Sequence, residues 1–147
     1  VLAAALAAAT LAAPGSVAYN FAVSVARDGP RPAAGALERR AHMRLKKRFA
    51  NAGLGVRVQR FQTPRGRSRN IIGVWHGPRR CLRVVMAHAD TVPPSPGADD
   101  NGSGLGMLAA LAPRLSAIAP PCEVWLVATG AEERIYTGSP DHSARSH

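Results

Sequence analysis

The chain has 147 residues, a length typical of one domain, and 46% of them are hydrophobic against 19% charged. Those proportions exclude an acidic disordered tail, a collagen and a multi-span membrane protein, and two cysteines exclude a disulfide-rich scaffold. Nineteen Lys and Arg against nine Asp and Glu leave a formal net charge of +10, a balance that first points to nucleic acid or an anionic surface.

The distribution of the basic residues argues otherwise. Most lie between Arg27 and Arg83, on one predicted helix and in loops, and seventeen of the nineteen are Arg. No helix-turn-helix, paired Cys/His finger or stacking-aromatic pattern accompanies them, and aromatics are only 5%. A basic solvated face, with no specific nucleic-acid partner, is the reading they support.

In chain order, Val1 to Ala13 is an Ala-rich apolar run followed by Pro14-Gly15-Ser16-Val17-Ala18. It is too short to span a bilayer and suits the core of a signal peptide, with small residues where a signal peptidase reads. Residues 1–18 are therefore expected to be a signal peptide or apolar leader on an exported protein, with an ordinary Ala-rich helix as the other reading. Residues 19–147 are expected to form the folded part. From Ala34 to Ala52, Leu37, Ala41, Leu45 and Phe49 recur every four positions among Arg and Lys, which predicts an amphipathic helix closed by Gly53. Val56 to Phe61 and Asn70 to Trp75 read as strands joined through the turn Thr63-Pro64-Arg65-Gly66.

Cys81 to His88 is a mostly apolar run, as in a strand buried on both faces, and Cys122 to Thr129 is another. Between them Gly102 to Ala112 predicts a helix, with Leu105, Leu108, Ala109 and Ala112 on one face and Pro113 ending or kinking it. Strand, helix, strand is the grammar of a βαβ unit in an α/β fold. Cys81 and Cys122 open these two strands, where a disulfide in an oxidising compartment and two buried thiols are both open readings.

Five of the nine acidic residues fall just after the two apolar strands: Asp90, Asp99, Asp100, Glu132 and Glu133. Ligands and catalytic groups of open α/β sheets gather at those strand ends. One imidazole, His88, and several carboxylates converging there fit a divalent metal site, since clustered carboxylates otherwise repel one another. Each piece alone has an ordinary explanation: a Glu-Glu pair as solvated surface, Asp99-Asp100-Asn101-Gly102 as a helix cap. It is their conjunction, in this order, that argues for a site. His76, His142 and His147 lack such partners and read as surface or loop residues.

The stretch Met86-Ala-His88-Ala-Asp90 through Asp99-Asp100-Asn101-Gly-Ser-Gly104, followed by Ala128-Thr-Gly-Ala-Glu132-Glu133 and Gly138-Ser139, resembles the secreted and periplasmic zinc aminopeptidases of the M28 type. Weaker similarity reaches back through Arg69-Asn70-Ile71-Ile72 to Arg31-Pro32-Ala33-Ala34-Gly35. M20-type enzymes share His-x-Asp and Glu-Glu but place a longer insertion between the His and the bridging Asp. The resemblance implies a three-layer helix/sheet/helix fold with a mixed, largely parallel central sheet, of which the C-terminal half is missing here. It implies that His88 binds one zinc ion and Glu133 another, that Asp100 bridges the two, that Asp90 orients His88, and that Glu132 is the general base. A cis peptide between Asp100 and Asn101 is a further implication. The family's third carboxylate and last His have no counterpart here, and Asp141, His142 and His147 fall too early to take those roles. The expected activity is hydrolysis of N-terminal peptide bonds on peptides or small proteins. Alternatives are a non-catalytic fragment retaining part of a metal site, a basic nucleic-acid binder, and, more remotely, glutaminyl cyclisation on the same fold. Oligomeric state is not legible.

Overall fold

The computed structural model describes residues 13–137. Strands β1 (Gly55–Thr63) and β2 (Gly66–Trp75) form an antiparallel hairpin whose register runs from Gly55↔Val74 to Thr63↔Gly66. The two-residue turn closes because Gly66 adopts φ +123°, and the Thr63 hydroxyl donates to the Gly66 carbonyl at 2.8 Å. Strand β3 (Arg79–His88), helix α3 (Gly104–Ile118) and strand β4 (Cys122–Thr129) make the expected βαβ unit, with β3 and β4 parallel and adjacent. The sheet order is β1-β2-β4-β3, and β2 pairs antiparallel with β4. The sheet is mixed, as expected; its parallel pair is the βαβ unit, and the hairpin and its junction with β4 are antiparallel.

Two helices precede the sheet. Helix α1 spans Pro14–Arg27 and α2 spans Ala36–Asn51. The latter is built of strong helix formers and ends where Gly53 takes φ +76°. The expected leader therefore divides. Residues 1–12 lie outside the described residues, whereas Pro14 to Ala18 belong to a continuous helix packed on α3. That packing is close: a Cβ on Gly106 would run into the Ala18 carbonyl.

Helices α2 and α3 lie on one face of the sheet. There Leu45 and Phe49 of α2 and Leu105, Leu108 and Ala112 of α3 meet Ile71, Ala87, Leu126 and Ala128. Each fully buried Leu or Phe contributes roughly 1.5–3 kcal/mol. Gly73 is required in this layer, because a Cβ would lie 2.7 Å from the Phe49 ring.

One sequence expectation is corrected here and another narrowed. Strand β3, read as buried on both faces, is the last strand of the described sheet, and Leu82, Val84 and Met86 are 51%, 50% and 64% exposed. An apolar run records what a strand can bury and not what lies beside it. Of the two readings of Pro113, ending or kinking its helix, the first is excluded: α3 continues to Ile118 and stops at Ala119, φ +46°. Proline leaves the carbonyl four residues earlier without its helical donor. That carbonyl, of Ala109, instead accepts Nε–H of Arg48 from α2 at 2.9 Å.

Cys81 and Cys122 form a disulfide at the start of β3 and β4, the opposite end of the strands from His88 and Thr129. No helix among the described residues is long and apolar enough to cross a membrane.

Candidate metal centre

Parallel pairing puts His88 directly beside Thr129, so the segments after β3 and β4 emerge together. The His88 ring is fixed from both sides. Its Nδ1 lies 3.1 Å from the Asp90 main-chain oxygen, a contact that only an Nδ1–H can make favourable. Nε2 then faces outward, 2.8 Å from Oδ1 of Asp100 and 4.0 Å from Oε2 of Glu132. A proton on Nε2 makes the 2.8 Å contact a hydrogen bond; without it, the ring offers a lone pair beside the carboxylates, the form in which imidazole binds a metal.

Asp100 stands on the irregular turn Ala98–Ser103, where its dihedrals (φ −101°, ψ 98°) depart from helix and its bond to Asn101 is cis, as the resemblance implied. The turn directs the Asp100 carboxylate to His88 and the Asn101 side chain the other way, where its Oδ1 accepts the Gly104 amide at 3.0 Å and caps α3. Glu133 completes the group: one ligand atom from each of His88, Asp100 and Glu133 lies within 4.8 Å of the others. Burial raises the Glu133 pKa above the usual carboxylate range; the carboxylates of Asp100, Asp90 and Glu132 add to the rise, while His88 opposes it. A bound cation would reverse that pressure. Met86, Ala87, His88, Asn101, Thr129 and Glu132 line a cavity of about 220 Å³ at the group.

Asp90 is fully buried. Its main-chain oxygen, 3.1 Å from His88 Nδ1, is a closer contact than its carboxylate, 3.8 Å away. The two carboxylate oxygens accept the amides of Glu132 and Glu133, at 3.0 and 2.9 Å.

Several residues around the group have no role assigned by the sequence reading. Arg31 has no exposed surface and donates to the carbonyls of Ala89, Pro96, Gly97 and Val25 at 2.8, 2.6, 3.0 and 3.3 Å. It thereby holds the segment between His88 and Asp100. Tyr136, on the short helix α4 (Arg134–Thr137), donates its hydroxyl to the Thr91 carbonyl at 2.8 Å. Glu38 and His42 of α2 are buried and touch the turn after β4. They sit four residues apart on the inward side of a helix whose outer face is Arg and Lys. A carboxylate and an imidazole on a buried stripe were the available signal. Of the other histidines, His76 is exposed and pairs with Glu123 at 2.9 Å, and His142 and His147 lie outside the described residues.

Known proteins resemble this chain in sequence and fold. The sequence profile of peptidase family M28 matches residues 70–147, just over half of the chain. Aminopeptidase YwaD of Bacillus subtilis (strain 168) is 41% identical over 76 residues, which are 49% of this chain and 16% of that protein. Among solved structures, Porphyromonas gingivalis glutaminyl cyclase matches with a TM-score of 0.75 at 28% identity, covering 92% of this chain and 50% of that one. BSAP, a zinc aminopeptidase from Bacillus subtilis, matches in fold with a TM-score of 0.75 at 18% identity, covering 84% of this chain and 62% of the other. The chain thus spans about half to three-fifths of these solved relatives. The family profile covers both the strand-end carboxylates and the strands β3 and β4 that present them, and the chain belongs to peptidase family M28.

Proposed function

We propose that this chain supplies metal-holding residues of a zinc-dependent exopeptidase that hydrolyses N-terminal peptide bonds of peptides or small proteins. The observation that carries the reading is the convergence of His88, Asp100 and Glu133 within 4.8 Å at adjacent strand ends. One imidazole nitrogen and two carboxylates are a donor set that suits zinc. In a two-ion site His88 would hold one zinc, Glu133 the other, and the exposed Asp100 carboxylate would bridge them. When bound, zinc supplies Lewis acidity, acidifying water and polarising the scissile carbonyl.

The protein's own contribution is placement and proton transfer. Glu132 lines the cavity with an exposed carboxylate, 4.0 Å from His88 Nε2. From there it takes the proton of the attacking water and returns it to the leaving amine. Its neighbour Glu133 turns into the donor group, a division of labour supported by Asp90, which holds both amides. The Cys81–Cys122 disulfide supports an exported protein, because such bonds persist in oxidising compartments.

Equilibrium dialysis of the metal-stripped chain is expected to show zinc uptake that Asp100→Ala abolishes and Glu132→Gln retains. In a protein form that turns over aminoacyl p-nitroanilides, Glu132→Gln is expected to lower kcat by roughly 100-fold or more. Wild-type turnover in that variant would remove Glu132 as the base. Zinc uptake with no hydrolysis would favour a non-catalytic metal-binding fragment, and cyclisation of a peptide with N-terminal Gln would favour the chemistry named for the P. gingivalis relative.

A further inference from the structure

The turn that carries Glu132 and Glu133 is held almost entirely through its main chain. Four consecutive amides each donate to a side-chain oxygen: Gly130 to Asn70 Oδ1 at 3.1 Å, Ala131 to Glu38 Oε1 at 3.0 Å, Glu132 to Asp90 Oδ1 at 3.0 Å and Glu133 to Asp90 Oδ2 at 2.9 Å. The acceptors come from β2, α2 and the end of β3. Glu38 is itself anchored, for Ser68 Oγ donates to its Oε1 at 2.8 Å and the Ala34 amide to its Oε2 at 2.9 Å. Nor is there room for the turn to shift toward these groups, since a Cβ on Gly130 would lie 2.6 Å from Glu38 Oε1. Ala131 adopts φ +53°, which an alanine keeps only where its surroundings impose it.

We propose that Glu38 and Asn70 are positioning residues: together with Asp90 they clamp the amides of residues 130–133, so that Glu133 faces His88 and Asp100 before any metal arrives. Neither is among the three ligand-bearing residues, so their effect passes through the turn. The proposal rests on the reading of His88, Asp100 and Glu133 as metal holders. Groups that orient ligands in this way typically change metal affinity 10- to 100-fold.

Two measurements test it on the chain as it exists. In the wild-type, metal-free chain, the amides of residues 130–133 are expected to exchange with solvent as slowly as those of β4; exchange at open-loop rates overturns a preformed clamp. Cobalt(II) titration, read by visible absorption, then compares Glu38→Leu, Asn70→Leu and Asn70→Asp with Leu115→Ala, a core variant near the end of α3 that leads into the start of β4, away from the turn. Glu38→Leu and Asn70→Leu, which remove the accepting oxygens, are expected to weaken cobalt binding at least about tenfold and to alter the visible bands. Asn70→Asp, which keeps the accepting oxygen, is expected to recover most of the affinity. Leu115→Ala, measured well below its melting temperature, is expected to bind as the wild type does. Wild-type affinity in both clamp variants overturns the proposal while leaving the metal reading intact. Failure of the folded wild-type chain to bind cobalt overturns both.

Discussion

At the scale of single residues, Arg31 shows how much of the site rests on groups that never touch it. Its guanidinium reaches four carbonyls drawn from α1, the end of β3 and the loop before Asp100, and its own amide donates to Thr91 Oγ1 at 2.8 Å. Each carbonyl loses water on burial, so removing the donor leaves several acceptors unpaired. Arg31→Met is therefore expected to cost about 3 kcal/mol or more in urea unfolding. Arg31→Lys is expected to recover little, because one ammonium cannot span the fork. Residues such as His88, Asp100, Glu132 and Glu133 are legible in the sequence, since carboxylates are scarce and these stand after apolar strands. The roles of Arg31, Glu38 and Asn70 are not: Arg31 and Asn70 stand in stretches of weaker family similarity, but one Arg among seventeen, or one Asn in a strand, shows no task until its distant partners are known.

At the scale of elements, α2 carries a second consequence of inward polar groups. His42 donates from Nε2 to the Thr129 carbonyl at 3.2 Å, the same carbonyl that accepts the Ala89 amide at 2.8 Å. Burial pushes its pKa from 6.5 down to about 4. The unfolded chain therefore takes up the proton first as pH falls. The contribution of His42 is intact above the unfolded value and is lost progressively between about pH 6.5 and pH 4. The expected loss between pH 7 and pH 5 is about 2 kcal/mol. His42→Gln should flatten that part of the stability profile, as chemical denaturation at the two pH values would show. An equally steep profile in the variant would place the titration elsewhere. The helix itself is legible from its four-residue spacing, but the stripe Leu37, Ala41, Leu45, Phe49 is slightly misaligned. The buried residues are Glu38, Ala41, His42, Leu45 and Phe49. Periodicity cannot separate two stripes one residue apart when one holds polar groups whose partners lie on other strands.

At the scale of the molecule, part of the basic excess serves structure. Arg40 and Arg44 pair with Asp28, Arg48 serves the proline-freed carbonyl, and Arg57 and Arg65 lie 5.6 and 5.5 Å over the rings of Trp125 and Tyr136. This distribution agrees with a solvated and stitched surface better than with a phosphate-tracking stripe. The disulfide acts at the same scale. Cys81 and Cys122 are 41 residues apart and enclose most of β3 and the whole of α3, with Asp90 and Asp100 between them. Closing a loop of that length in the unfolded chain is worth about 4 kcal/mol. Reduction is expected to lower stability by about that amount while leaving the β3–β4 register unchanged, measurable as a shift in urea midpoint with and without reductant. No shift would mean that the closed loop adds nothing to the hydrogen-bonded parallel pair.

What the sequence by itself determined is local and ordered. It set a helix closed by Gly53, a hairpin, a βαβ unit with β4 at Cys122–Thr129, and scarce acids placed after its strands. Backbone preference, side-chain period and turn chemistry act over a few residues, so they can be read in a line. The tertiary structure alone decided that β3 borders the described sheet, that Pro113 is tolerated within α3, and that Glu38 turns inward to the Ala131 amide, 93 positions away. Each of these depends on which groups meet after the chain has folded back on itself. A buried polar atom is admissible only where such a partner waits.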